Sequence, residues 1–190
     1  MPADADASPS HAAGEAGGES EPASARPSLL ILDANVLIDY CEADRHLLRL
    51  ISIHLAPISL PITILSEVDG LSREDCAELG LELVDPPLAQ LTAVAQRRGG
   101  GLSLNDRLCL VLAKERQGAC VTNDGRLRAE CRTENVPVIW GPEPLVQLVR
   151  DGPLTPERAV RAVSQMQRAN PRYITVGIVE GFIEKIGRSA

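Results

Sequence analysis

The sequence predicts an α/β fold of three layers, with a central parallel sheet between two layers of helices and a C-terminal helical hairpin. Three observations predict it. Short, wholly apolar runs such as Leu29–Leu32 and Ala119–Thr122 read as strands buried on both faces. They alternate with longer stretches of helical periodicity, the pattern of strand–helix–strand crossovers. Beyond Thr155 the strand-like runs cease and two amphipathic stretches follow.

Residues 1–27 contain Ala, Gly, Ser, Pro and acids without periodicity, and are expected to form a disordered acidic tail. The α/β domain is expected over residues 28–150. Its first strand, Leu29–Leu32, ends in Asp33-Ala34-Asn35, after which Val36–Tyr40 and Arg45–Ile53 read as helical. Ala56–Leu60 is the second strand. Pro61 suits the first turn of a helix over Pro61–Val68 that carries Glu67. Leu81–Val84 is the third strand, Pro86-Pro87 opens a helix running to about Arg98, and Gly99-Gly100-Gly101 is a loop.

The stretch from Leu102 to Gly125 is the most informative. Ser103 can cap a helix that is apolar on nearly every side, through Leu104, Leu108, Cys109, Leu110, Val111, Leu112 and Ala113. Arg116 in the last turn and Gly118 end it, the strand Ala119–Thr122 follows, and Asp124 stands just beyond. A helix over Arg126–Glu134, a last strand at Pro137–Trp140 and a short helix at Pro144–Arg150 complete the domain. Residues 151–190 form the helical extension. Thr155-Pro156-Glu157 starts one helix, with Ala159, Val160, Val163 and Met166 on a stripe, and a second covers Ile174–Ile186 after the break at Asn170-Pro171. This hairpin either covers the core or forms a partner interface.

Composition narrows the function. The chain is 44% hydrophobic but only 2% aromatic, so a ladder of aromatic rings for stacking nucleobases is excluded. The net charge is −7, of which the first 27 residues carry −4, so no broad electropositive surface is expected either. Five cysteines without a C-x-x-C pair read as small core residues in a reducing compartment. No apolar run reaches the roughly 18 residues of a membrane span, and no leader-like apolar segment opens the chain; the expectation is a cytoplasmic protein with no membrane.

Four acids carry the chemistry: Asp33, Glu67, Asp106 and Asp124. Asp33 and Asp124 each follow a parallel strand directly, and right-handed crossovers bring those strand ends to one edge of the sheet. Asp106 lies on a helix face shared with Cys109, Leu110 and Ala113, so its carboxylate is expected to point inward. Singly, each acid has an ordinary role as a cap, a turn residue or a solvated side chain. Were they to converge, each pair about 5 Å apart would repel by about 3 kcal/mol at an effective dielectric of about 20. A counter-charge is therefore required. Mg²⁺ or Mn²⁺ suits an all-oxygen site of this kind and favours in-line attack on a phosphodiester. His11, His46 and His54 lie outside these motifs.

The motifs L-D-A-N-V-L-I-D at 32–39, S-E at 66–67, L-S-L-N-D-R-L-C-L-V-L-A at 102–113 and V-T-N-D at 121–124 resemble those of the PIN-domain nucleases, most closely the VapC-type toxins of toxin–antitoxin pairs. The resemblance covers roughly residues 29–150. It implies a PIN-like fold and a metal-dependent endoribonuclease in which Asp33, Glu67, Asp106 and Asp124 hold Mg²⁺ or Mn²⁺. Asn35, Ser103, Arg107, Thr122 and Asn123 would support the acids or position substrate. It also implies an RNA substrate, a small antitoxin as partner and a homodimer. Arg97, Arg98, Arg107, Arg126, Arg128 and Arg132 flank the motifs and are candidates to hold phosphate.

Other readings are a housekeeping RNA-processing nuclease of the same fold and a non-catalytic RNA-binding or scaffold protein. A phosphatase of the haloacid-dehalogenase type would need an acid two residues after Asp33, where this chain has Asn35.

Overall fold

A computed structural model of the chain describes residues 26–96 and 101–188. Five strands form one wholly parallel sheet: β1 Leu30–Leu32, β2 Ile58–Pro61, β3 Leu81–Val84, β4 Ala119–Val121 and β5 Val138–Ile139. Their order is β3-β2-β1-β4-β5. The chain winds outward from β1 to β2 and β3, then returns across the sheet to place β4 on the other side of β1. The junction of β1 with β4 is therefore the point where the winding reverses, and strand-end loops part there to leave a crevice. Leu32 pairs with Val121 at that junction, so the next residues, Asp33 and Thr122, are neighbours.

Right-handed crossovers assign the helices to two layers. On one face lie α1 Ala34–Asp44, α2 His46–His54 and α3 Arg73–Leu79; on the other lie α4 Leu88–Gln96, α5 Leu104–Glu115 and α6 Gly125–Thr133. α5 is central to its layer and touches β1, β2 and β4. Leu108, Cys109, Leu110, Leu112 and Ala113 of α5 are buried, while Leu104 remains 43% exposed at its open end. Ser103 and Asp106 form a capping box at its start, satisfying two backbone N–H groups that the first turn leaves open. α3 is stopped by Gly80, whose φ of 74° is costly for any residue with a Cβ.

α7 Glu143–Asp151 leads into the hairpin α8 Pro156–Ala169 and α9 Val176–Gly187. Of the two roles the sequence left open for this hairpin, it takes the intramolecular one. α8 packs along α1 and α9 along α7, with Ala159, Ala162, Val163, Met166, Phe182 and Ile186 joining the main hydrophobic core. Of the tail expected over 1–27, residues 1–25 lie outside the described residues; Arg26 pairs with Asp151 at 2.9 Å.

One element differs in kind from expectation. The helix expected over Pro61–Val68 is instead the end of β2 followed by a 3-10 turn, Ile62–Ser66. Pro61 has φ −60° and ψ 130° and pairs in register with Val84, so strand pairing overrides its helix-starting preference. Glu67 follows that turn and is exposed. The helix expected from Pro86 begins at Leu88, and its expected end near Arg98, like the Gly99-Gly100 part of the loop, lies outside the described residues. Among the described residues no helix is long and apolar enough to cross a membrane.

Candidate active site

Asp33 is the fixed point of the site. It ends β1, caps α1 by accepting the Val36 N–H at 2.7 Å on Oδ1, and accepts the Thr122 hydroxyl on Oδ2. It is 0% exposed. Burial pushes its carboxyl up to about 7, and the two neighbouring charges that act on it, Asp106 and Asp39, are both negative and push the same way. A helix N-terminus and a hydroxyl offset only part of a desolvation cost of several kcal/mol. The Asp33 carboxyl therefore keeps a proton up to near neutral pH unless a positive charge is placed beside it.

Thr122 joins the first acid to the fourth. Its Oγ1 donates to Asp33 and accepts the N–H of Asp124 at 3.0 Å. Asp124 caps α6, with Oδ1 accepting both the Arg126 and Leu127 N–H groups at 2.8 and 2.9 Å. The short strand and immediate helix start dictate this: two acids each end a strand and open a helix, side by side at the winding reversal.

Asp106 approaches from α5. Its Oδ2 accepts the Ser103 N–H at 2.9 Å, and it is half-buried rather than turned fully inward as its helix face suggested. The capping box draws the carboxylate back over the helix start. One turn on, the Cys109 thiol points at the carbonyl oxygen of Leu32, 3.5 Å away, which seats this face of α5 beneath the end of β1. Burial and the charges of Asp33, Asp106 and Glu67 together push the Cys109 thiol well above its ordinary range. Three of the four acids thus act on one buried atom. Glu67 reaches the group through Asn105, whose amide donates to Glu67 Oε1 and whose Oδ1 accepts the Thr63 hydroxyl at 2.6 Å.

Among the described residues, Asp106 Oδ1, Asp124 Oδ2 and Glu67 Oε2 take no hydrogen bond, so each acid is oriented through one oxygen and leaves the other available. Among the same residues, no three His, Cys, Asp or Glu side chains stand close enough to form a finished ion-binding group. The donor chemistry fits a hard divalent cation; the ligand spacing is wider than a closed site.

No protein-family model, curated protein or solved structure matches this chain. The chemistry of the site rests on its own residues.

The remaining candidates fall into two groups. Asn35, half-buried in the first turn of α1, and Ser103, the cap of α5, lie beside the acids, as does Arg107, half-buried next to Asp106. Asn123 faces away from them. Its amide donates to Asp39 at 3.1 Å and its Oδ1 accepts the Gly141 N–H at 3.0 Å, a bracing role. Arg128 is corrected as a phosphate candidate: it is 7% exposed, donates to the Thr122 carbonyl at 3.3 Å and stacks on Trp140. Arg126 donates to the Gly101 carbonyl, Arg132 is exposed on the last turn of α6, and Arg97 and Arg98 lie outside the described residues.

Two residues escaped the sequence reading. Asn105 is 6% exposed and orients Glu67; its signal was a polar side chain beside Asp106 on an apolar helix. Asp39 is 2% exposed and accepts hydrogen bonds from Asn123 and Asn170, tying the β4–α6 turn to the end of α8. It stands inside the first motif, within a helix, where nothing local sets it apart.

Proposed function

We propose that this chain is a Mg²⁺- or Mn²⁺-dependent endoribonuclease with its active site at the β1–β4 junction. The observation that carries the reading is Asp33: a wholly buried carboxyl whose two acting charged neighbours, Asp106 and Asp39, are both negative, beside two further acids that, among the described residues, each keep an oxygen available. Asp33, Asp106, Asp124 and Glu67 would hold the cation. Bound there, it would supply a Lewis acid for in-line attack of water on phosphorus.

The chain's own groups prepare that site. Thr122 holds Asp33 and Asp124 in a common orientation, Ser103 does so for Asp106, and Asn105 for Glu67. The N-termini of α1 and α6, capped by Asp33 and Asp124, follow adjacent strands at the same edge of the sheet and would favour an anionic substrate such as a phosphodiester. The motif likeness to VapC-type toxins extends the proposal to a toxin, acting as a homodimer and held in check by a small antitoxin. Growth arrest on expressing the chain alone, relieved by a co-expressed small partner, tests that extension.

The activity itself is tested with a structured RNA pool incubated with Mg²⁺ or Mn²⁺. Asp106→Asn keeps an oxygen to accept the Ser103 N–H, so the helix start is preserved. Metal-dependent cleavage by wild type is expected to fall at least about a hundredfold in Asp106→Asn, equal to about 3 kcal/mol of transition-state stabilisation. RNA binding without cleavage under either metal would favour the non-catalytic reading instead.

A further inference from the structure

The chain has one tryptophan, Trp140, and it stands at the edge of the sheet where the acids gather. β4 pairs with β5 through Val121 and Ile139, and Thr122 N–H bonds the Ile139 carbonyl at 3.0 Å. Trp140 is the next residue, so it borders Thr122, the residue that joins Asp33 to Asp124. Whereas Tyr40 and Phe182 are buried and Tyr173 is half-buried, Trp140 is 40% exposed. The guanidinium of Arg128 lies over the ring, 3.8 Å from its centroid, and is itself anchored on the Thr122 carbonyl. One face of the indole is thus held by Arg128, and the residue as a whole remains exposed.

The Arg128 contact fixes the orientation of the indole while much of the residue stays open to a ligand. Beside a phosphodiester-cleaving centre, the ligand that suits it is an unpaired nucleobase, which stacks on the ring. We propose that Trp140 is a substrate-positioning residue that stacks one base of single-stranded RNA next to the cleaved phosphate. The inference rests on the nuclease reading and adds to it a substrate class. A base inside a duplex is already stacked on both faces and cannot lie on the ring, so the RNA must be single-stranded at that nucleotide. The scarcity of aromatic residues then acquires a meaning: no ladder grips the strand, and a single ring selects one position along it.

The lone tryptophan also makes the proposal measurable. Titrating the full chain with a 2′-O-methyl single-stranded oligonucleotide, which cannot be cut, is expected to change tryptophan emission saturably. A duplex of the same sequence should leave it unchanged. With a labelled oligonucleotide followed by anisotropy, Trp140→Leu is expected to bind about ten- to hundredfold more weakly, the range for losing one stacked base. Trp140→Phe should recover most of that loss, which a merely structural role would not predict. Unchanged affinity in a folded Trp140→Leu, or unchanged emission while anisotropy reports binding, overturns the proposal. Equal response to duplex overturns the single-strand assignment. Failure of the nuclease reading looks different: wild type then cuts no RNA with either metal, whatever the emission does.

Discussion

Replacing Asp33 by Asn is expected to stabilise the metal-free protein at pH 8 while destroying its response to metal. Burial raises the Asp33 carboxyl to about 7 in the folded chain, against an ordinary value of 3.8. Between those values the native state holds a proton that the unfolded chain has lost. Stability from this group is therefore fully present below about pH 4, falls as pH rises through the window, and is gone above about pH 7. Asn carries no charge to desolvate, keeps an oxygen for the Val36 N–H, and caps helices as well as Asp. The variant should gain up to about 4 kcal/mol at pH 8, from about three pKa units at 1.36 kcal/mol each, and almost nothing at pH 4. Added Mn²⁺ should raise the wild-type melting temperature and leave that of Asp33→Asn unmoved. Equal melting temperatures for the two metal-free proteins at pH 8 would show that Asp33 is compensated in solution by some group other than a metal.

Removing Asp39 is expected to loosen the molecule in two places at once. Its two oxygens accept the amides of Asn123 and Asn170, at 3.1 and 3.0 Å, in a region almost closed to water. Asp39→Ala strands both donors, and each buried unsatisfied group costs about 1–3 kcal/mol. Burial holds the Asp39 carboxyl up at about 6, so part of that loss is returned near neutral pH by deleting a disfavoured charge. A net destabilisation of about 1–4 kcal/mol by urea unfolding is expected, larger at pH 5 than at pH 8. Hydrogen exchange should quicken at both the β4–α6 turn and the end of α8. Quickening at α8 alone would show that Asn123 is held without Asp39, by Gly141.

These two acids also mark what could be read from the residues and what could not. Asp33 was legible because a wholly apolar run ended in it, and Asp124 for the same reason. Ser103 announced its helix through local cap chemistry, which depends on neighbours three residues away. Asp39, by contrast, lies within a helix, and its partners are Asn123 and Asn170, 84 and 131 residues distant. No local pattern encodes such a pairing. Pro61 illustrates the opposite failure. Its local preference for a helix start was sound, and pairing with β3 overruled it. Arg128 likewise read as one phosphate candidate among several until the strand next door supplied Trp140.

The order of the strands has a consequence for how the protein is made. Asp33 meets Thr122 across 89 residues of chain, and β4 must slot beside β1 after two other strands have already been laid down on its far side. Contacts of such long sequence separation form late, and a chain emerging from the ribosome folds its earlier parts first. Asp124, and the Thr122 hydroxyl that joins it to Asp33, are missing until residues 119–124 have left the exit tunnel. If the proposed nuclease activity holds, a nascent copy would be unable to cut the RNA of the ribosome that is making it until translation of that copy is nearly done.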